Sequence, residues 1–114
     1  MTLFLEKTWT AVCSVEDVPM GAGVAALLDG DVQVAIFRLP GDEFHALSNM
    51  DPFSGAAVLA RGIIGDAAGA PMVTSPVYKQ RFDLRTGGCL DDEEVSVRTF
   101  PVRVSGGVVH VGSP

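Results

Sequence analysis

Two stretches decide how this chain is read: Asp51-Pro52-Phe53-Ser54-Gly55-Ala56, and Ser75-Pro76-Val77-Tyr78-Lys79-Gln80-Arg81-Phe82-Asp83-Leu84-Arg85-Thr86-Gly87. Each opens on a polar residue followed at once by proline, Asp51-Pro52 in one and Ser75-Pro76 in the other. Taken alone they are a pair of proline-bearing β-turns in a β domain, since proline fixes the backbone angle that a turn requires. The second stretch runs on into a short strand, Arg81-Phe82-Asp83, and a turn at Thr86-Gly87.

Outward from these loops, short β-branched runs recur between turn signals, and no long helical period is present, so the chain reads as all-β. Trp9–Val15 is the first strand, turned by Val18-Pro19-Met20-Gly21. Val24–Leu28 and Val32–Arg38 flank Asp29-Gly30-Asp31, a hairpin signature with glycine in the turn. Pro40-Gly41-Asp42 turns the chain into a strand over Phe44–Ser48. Near the end, Val95–Arg98 and Phe100–Val104 read as strands, and Ser105-Gly106-Gly107 leads into Val108–Val111. Period-two alternation places Val102 and Val104 on one face and Arg103 on the other. Between the two loops, Ala56–Ala60 suits one helical turn or an apolar loop, residues 61–66 a short extended piece, and Ala67–Pro71 a flexible loop. No repeat or linker divides the 114 residues, so one domain over 1–114 is expected, with its core over about 9–111.

With these strands around them, the two loops resemble those of a Rieske domain. There the matching loops run Cys-Pro-His and Cys-Pro-x-His, the second often continuing into Arg-Phe-Asp-x-x-Thr-Gly. The resemblance implies an antiparallel sandwich or barrel with both loops at one tip. It also puts Asp51 and Ser75 where the cysteines would stand, and Phe53 and Tyr78 where the histidines would stand. A Rieske [2Fe–2S] centre needs two thiolates on one iron and two imidazoles on the other. A carboxylate, a hydroxyl, a phenyl and a phenol do not supply that set. The expectation is a Rieske-like fold without its cluster.

One group of Rieske-like proteins lacks the ligands and is similar to this chain from Trp9 to about Val111: the small subunit of assimilatory NAD(P)H-dependent nitrite reductase. The resemblance runs through Trp9-Thr10-Ala11-Val12-Cys13, Val34-Ala35-Ile36-Phe37-Arg38, Ala46-Leu47-Ser48-Asn49, and the Asp-Pro-Phe-Ser-Gly-Ala loop from Asp51. It continues through Arg61-Gly62-Ile63-Ile64-Gly65-Asp66, Ser75-Pro76-Val77-Tyr78-Lys79-Gln80 and Gly88-Cys89-Leu90-Asp91-Asp92, and ends on Val97 and Thr99-Phe100-Pro101-Val102-Arg103. It implies a non-catalytic subunit without a redox centre of its own, beside a large subunit that carries FAD, an iron–sulfur cluster and siroheme. That large subunit takes electrons from a reduced nicotinamide and reduces nitrite to ammonium. A tip built for a cluster must otherwise be capped, and Phe53 and Tyr78, with Lys79 and Gln80 beside them, offer a contact surface for the large subunit. The competing readings are an electron-transfer protein with another metal at the tip, and a free-standing β-domain binding module.

Composition bounds the rest. A formal net charge of −6 argues against a nucleic-acid partner and against an anionic membrane surface, and leaves a basic protein surface open. The first residues, Met1 to Trp9, carry Glu6 and Lys7 in an apolar stretch too short for a signal peptide, and no apolar run approaches a membrane span. A cytoplasmic protein with reduced thiols follows. Cys13 and Cys89 form no CxxC pair and read as small buried hydrophobes. Together with His45 and His110 their spacings match no zinc motif. Asp91-Asp92-Glu93-Glu94 reads first as a solvated charge run on a turn, with an acidic docking patch or an acid/base pair as the functional alternatives. Gly62, Gly65 and Gly69 lack the Gly-Lys-Ser/Thr of a phosphate loop and are read as turn glycines. No catalytic set is expected in the chain.

Overall fold

The computed structural model describes residues 8–113. The signal-peptide expectation for residues 1–7, and the two ends of the domain expected over 1–114, fall outside them. Ten strands follow in order: β1 (Trp9–Ser14), β2 (Gly23–Leu28), β3 (Val32–Leu39), β4 (Glu43–Ser48), β5 (Ile63–Ala67), β6 (Ala70–Thr74), β7 (Arg81–Asp83), β8 (Thr99–Phe100), β9 (Val102–Ser105) and β10 (Val108–Gly112). They form three sheets, β1-β10-β9, β2-β3-β4-β8 and β5-β6-β7, and every strand pair is antiparallel.

The middle sheet organises the molecule. Val34, Ala35, Ile36 and Phe37 of β3 are all fully buried, so this strand is covered on both faces and reads as a continuous apolar run rather than an alternating one. Ala35 and Phe37 point into a core shared with Leu47, Leu59, Val73, Phe82, Leu84 and Cys89, under the β5-β6-β7 sheet. Val34 and Ile36 point the other way, against Val18, Phe100, Val109 and Val111. The result is an all-β sandwich of the kind the loops imply.

The β2–β3 hairpin pairs Leu28 with Val32 across Asp29-Gly30-Asp31, with positive φ at Gly30 and Asp31, as that turn signature requires. The strand ends fit the sequence to within a residue or two for β1 to β4 and for β10.

Three expectations are corrected. Ala67–Pro71 is not a loop: Ala67 and Ala70 close a tight hairpin over Ala68-Gly69, both with positive φ, and Pro71 lies within β6. Val95–Arg98 is not a regular strand; only Ser96 makes a bridge, to Gly88. Phe100–Val104 is two strands, because Pro101 has no N–H for the ladder, and β8 pairs with β4 while β9 pairs with β10. The alternation expected of Val102 to Val104 holds at Val102, which packs on the core, and at Arg103, whose guanidinium lies 4.3 Å from the Trp9 ring centroid. Val104 keeps the face of Val102, opposite Val109 as Val102 is opposite Val111, but is exposed where the strand nears its turn.

The β5–β6 hairpin lies along the middle sheet. Gly65, Asp66 and Gly69 line a groove with Leu39 and Pro40 at the far end of β3. At the other end Ile63 pairs with Thr74, immediately before the Ser75 loop. The turn after β7 needs Gly87, which has φ 78° and no room for a side chain, since a Cβ there would meet the Val97 carbonyl.

Candidate functional site

The two loops meet. The first leaves β4 through Asn49, whose N–H donates to the Gln33 carbonyl (3.0 Å) and whose own carbonyl accepts from Leu59 N–H (3.1 Å). The Asn49 side chain accepts from Ala60 N–H (2.8 Å) and donates to Gln33 Oε1 (3.2 Å). Asn49 thus ties the strand, the loop and the 3-10 turn over Leu59–Arg61 together. Within the loop, Asp51 N–H donates to the Ala56 carbonyl and Gly55 N–H to the Asp51 carbonyl, both at 2.8 Å. The second loop closes through Ser75 N–H to the Gln80 carbonyl at 2.8 Å.

Asp51 and Ser75 are both completely buried, and the Ser75 hydroxyl donates to Asp51 Oδ2. Asp51 Oδ1 accepts from Phe53 N–H (2.8 Å) and Ser54 N–H (3.4 Å). Burial pushes the Asp51 carboxyl up, but the hydrogen bonds from the Ser75 hydroxyl, the two backbone amides and Ser54 outweigh it and hold the group below its ordinary value. The residues at the two cysteine positions therefore form a hydrogen-bonded clasp between the loops.

The two aromatic residues part company. Phe53 turns inward: its ring packs on the core beneath the outer sheet, 6.2 Å from the Phe82 centroid. Tyr78 turns outward and is 61% exposed. Lys79 is exposed, in the left-handed region at φ 68°, with its ammonium donating to the Pro76 carbonyl (3.2 Å). Gln80 is half-buried, and its Oε1 is buried without a hydrogen-bond partner. Next to it, Arg81 meets Asp91 through two guanidinium nitrogens (2.8 and 3.3 Å) and through its backbone N–H (2.8 Å). That pair anchors the acidic turn, in which Asp92 Oδ1 accepts from Glu94 N–H.

The remaining candidates are kept apart. Cys13, expected to be buried, is only half-buried and packs against the core on one side of the middle sheet, whereas Cys89 lies buried in the core on the other, and both are free thiols. Burial, with Asp17 nearby, pushes the Cys13 thiol up, away from the thiolate that a metal ligand or nucleophile needs. His45 pairs with Glu43 (2.8 Å), and His110 Nδ1 sits 3.2 Å from the Val108 carbonyl. Sequence reasoning missed Asn49 as the organiser of the first loop. The signal available was a buried-type polar residue directly after an apolar strand, before Asp51.

The fold implies a [2Fe–2S] cluster between these loops, and the residues present do not fit one. Neither loop contains a cysteine or histidine. The carboxylate and hydroxyl are bonded to each other, Phe53 has no lone pair to donate, and the Tyr78 phenol faces solvent.

This fold and this tip define the class: a Rieske-like β domain whose loops are joined by side-chain hydrogen bonds. Residues 8–112 match the family of the Rieske-like [2Fe-2S] domain. The small subunit of the NADH nitrite reductase of Salmonella typhimurium is 46% identical over 104 residues, which are 90% of this chain and 95% of that one. A candidate NADH-dependent nitrite reductase small subunit from Mycobacterium tuberculosis superposes with a TM-score of 0.92 at 48% identity, over 96% of this chain and 97% of that one. The chain belongs to the family of nitrite reductase small subunits. It is also 48% identical over 107 residues to the nitrite reductase [NAD(P)H] large subunit of Klebsiella oxytoca, covering 94% of this chain and only 11% of that protein.

Proposed function

We propose that this chain is a non-catalytic small subunit of a cytoplasmic NAD(P)H-dependent nitrite reductase, which reduces nitrite to ammonium in nitrate assimilation. It docks on the large subunit through the tip that carries the two loops. The observation that carries this reading is the tip itself: a built, interlocked pair of loops that presents side chains for contact and holds no donor set for a metal or a reaction. Tyr78 and Lys79 are the outward contacts, and Phe53 and Gln80 back the loop from beneath.

The Klebsiella match supports the partner. A domain of this kind lies within a chain named as the large subunit, so there the two are held together covalently. FAD, siroheme and the iron–sulfur cluster belong on the large subunit, and this chain binds no cofactor. Nucleic acid and membrane play no part. Among the described residues, no helix is long and apolar enough to cross a membrane.

The test is co-expression with the large subunit of the same organism, followed by an assay of NAD(P)H-dependent nitrite reduction with and without this chain. Co-purification and a loss of activity without the chain are the expected results. Full activity without it and no co-purification would overturn the reading.

A further inference from the structure

We propose that the docking face is an apolar strip with an acidic border on one side, and that it meets an apolar face of the large subunit flanked on that side by lysine or arginine. The inference deepens the subunit reading and rests on it.

Among the described residues, eight large apolar side chains are exposed, and six of them belong to one end of the molecule: Leu27 on the β2–β3 hairpin, and Met50, Ile63, Val77, Tyr78 and Leu90 on and beside the two loops, which form the strip. Their neighbours in the ladders put them there. Met50 precedes Asp51, which bonds Ser75, and Val77 and Tyr78 follow in the same loop. Ile63 pairs with Thr74, Thr74 with Arg81, and Leu90 N–H donates to the Arg81 carbonyl. The strip therefore crosses the outer sheet from the β5 edge, over the Ser75 loop, to Leu90. Scattered exposed apolar residues need no explanation, but a grouping of this kind marks a contact surface.

The charge is asymmetric across the strip. Past Leu90, Asp91 is compensated by Arg81, whereas Asp92, Glu93 and Glu94 are exposed and make no ion pair among the described residues. Of the cations at this end, Arg81 is taken up by Asp91, Lys79 keeps its charge within the loop with its ammonium on the Pro76 carbonyl, Arg61 flanks the opposite edge beside Ile63, and the Arg98 guanidinium lies over the Phe100 ring, 5.4 Å from its centroid. Uncompensated acid on one border selects a basic partner surface there and fixes the orientation of docking. Occupation by the large subunit rather than by a second copy is argued from the Klebsiella match, in which a domain of this kind is part of the large-subunit chain itself.

The experiment measures binding of the full chain to the purified large subunit across a salt series, for the wild type, the double variant Glu93→Lys/Glu94→Lys, and Tyr78→Ala. All three substituted side chains are exposed, and unchanged thermal unfolding confirms the fold. Wild-type association should slow as salt rises, and the lysine variant should associate about tenfold more slowly at low salt with that dependence flattened. Weakening by Tyr78→Ala with no effect of the lysines would overturn the basic-partner inference and leave the subunit reading intact. Unaltered binding by all variants would overturn the docking face. Self-association of the chain through the same residues would replace the large subunit with a second copy and overturn the inference.

Discussion

Asp51 is fully buried, and a carboxylate tolerates that only when its oxygens are hydrogen-bonded. Here the Ser75 hydroxyl and the Phe53 and Ser54 amides meet them, so the clasp depends on the charge. Asp51→Ala leaves Ser75 and the loop amides without their acceptor and should cost about 2 kcal/mol in urea unfolding at neutral pH. The sign of the pH dependence follows from the lowered value. A carboxyl held lower in the folded chain than in the unfolded one contributes stability that is complete above about pH 4. That contribution fades as pH falls through the folded value. Asp51→Asn should therefore lose less stability than the wild type between neutral pH and pH 3; equal losses would show that the clasp is not charge-assisted. The two aromatic positions divide in the same way. Phe53→Ala opens space against Phe82 and should lower the stability by about 2 kcal/mol or more, whereas Tyr78→Ala should leave thermal unfolding unchanged. The sequence placed both rings in the tip, but it carried no sign of which one faces inward. That direction is set by Phe82, thirty or so positions away along the chain, and only packing decides it.

Among the elements, the turn around Asn49 governs the tip. Its side-chain oxygen is the acceptor for the Ala60 amide, in a buried contact that links β4 to the 3-10 turn. Asn49→Ala leaves that amide unsatisfied and should cost about 1–3 kcal/mol. It should also raise hydrogen exchange at Ala60 selectively, and uniform exchange across the chain would argue against a local tie. The strands themselves were largely readable. Glycine in the Asp29-Gly30-Asp31 turn and β-branched runs on either side specify a hairpin by local chemistry alone. The β5–β6 hairpin was not readable, because its turn, Ala68-Gly69, is weak and Pro71 argues against a strand. Pro71 is tolerated because the Asp66–Pro71 pair lies next to the turn-closing Ala67–Ala70 pair, where the Pro71 nitrogen points away from β5; on its β7 side the ladder has already ended at Met72–Asp83, and only its carbonyl is used, accepting from Leu84 N–H. Residues 95–98 misled in the opposite sense. Their β-branched character fits a strand, but Val97 N–H is committed to the Gly87 carbonyl, and the ladder never extends.

At the scale of the molecule, three stacked sheets bury two cores and leave the loops at one end, and the family relationship follows from that frame as much as from the motifs. The identity of the tip residues was legible from the sequence, because ligand chemistry is a property of residue type. The clasp was not, because a hydrogen bond between positions 51 and 75 exists only once both sheets are in place. If the tip has exchanged metal binding for contact, incubating the purified chain with iron, sulfide and thiol should yield neither stoichiometric iron nor visible charge-transfer bands. Both together would return the domain to the redox class. The most direct measurement of the central claim is the affinity of the large subunit for Tyr78→Ala and for Met20→Ala. Both carry an exposed apolar side chain, but Met20 lies by Gly21, whose N–H bonds the Arg38 carbonyl near the end of β3 away from Asn49. Binding should be about thirtyfold weaker for Tyr78→Ala and unchanged for Met20→Ala. Equal affinities for Tyr78→Ala and the wild type, or an equal loss at Met20, would contradict docking through this tip.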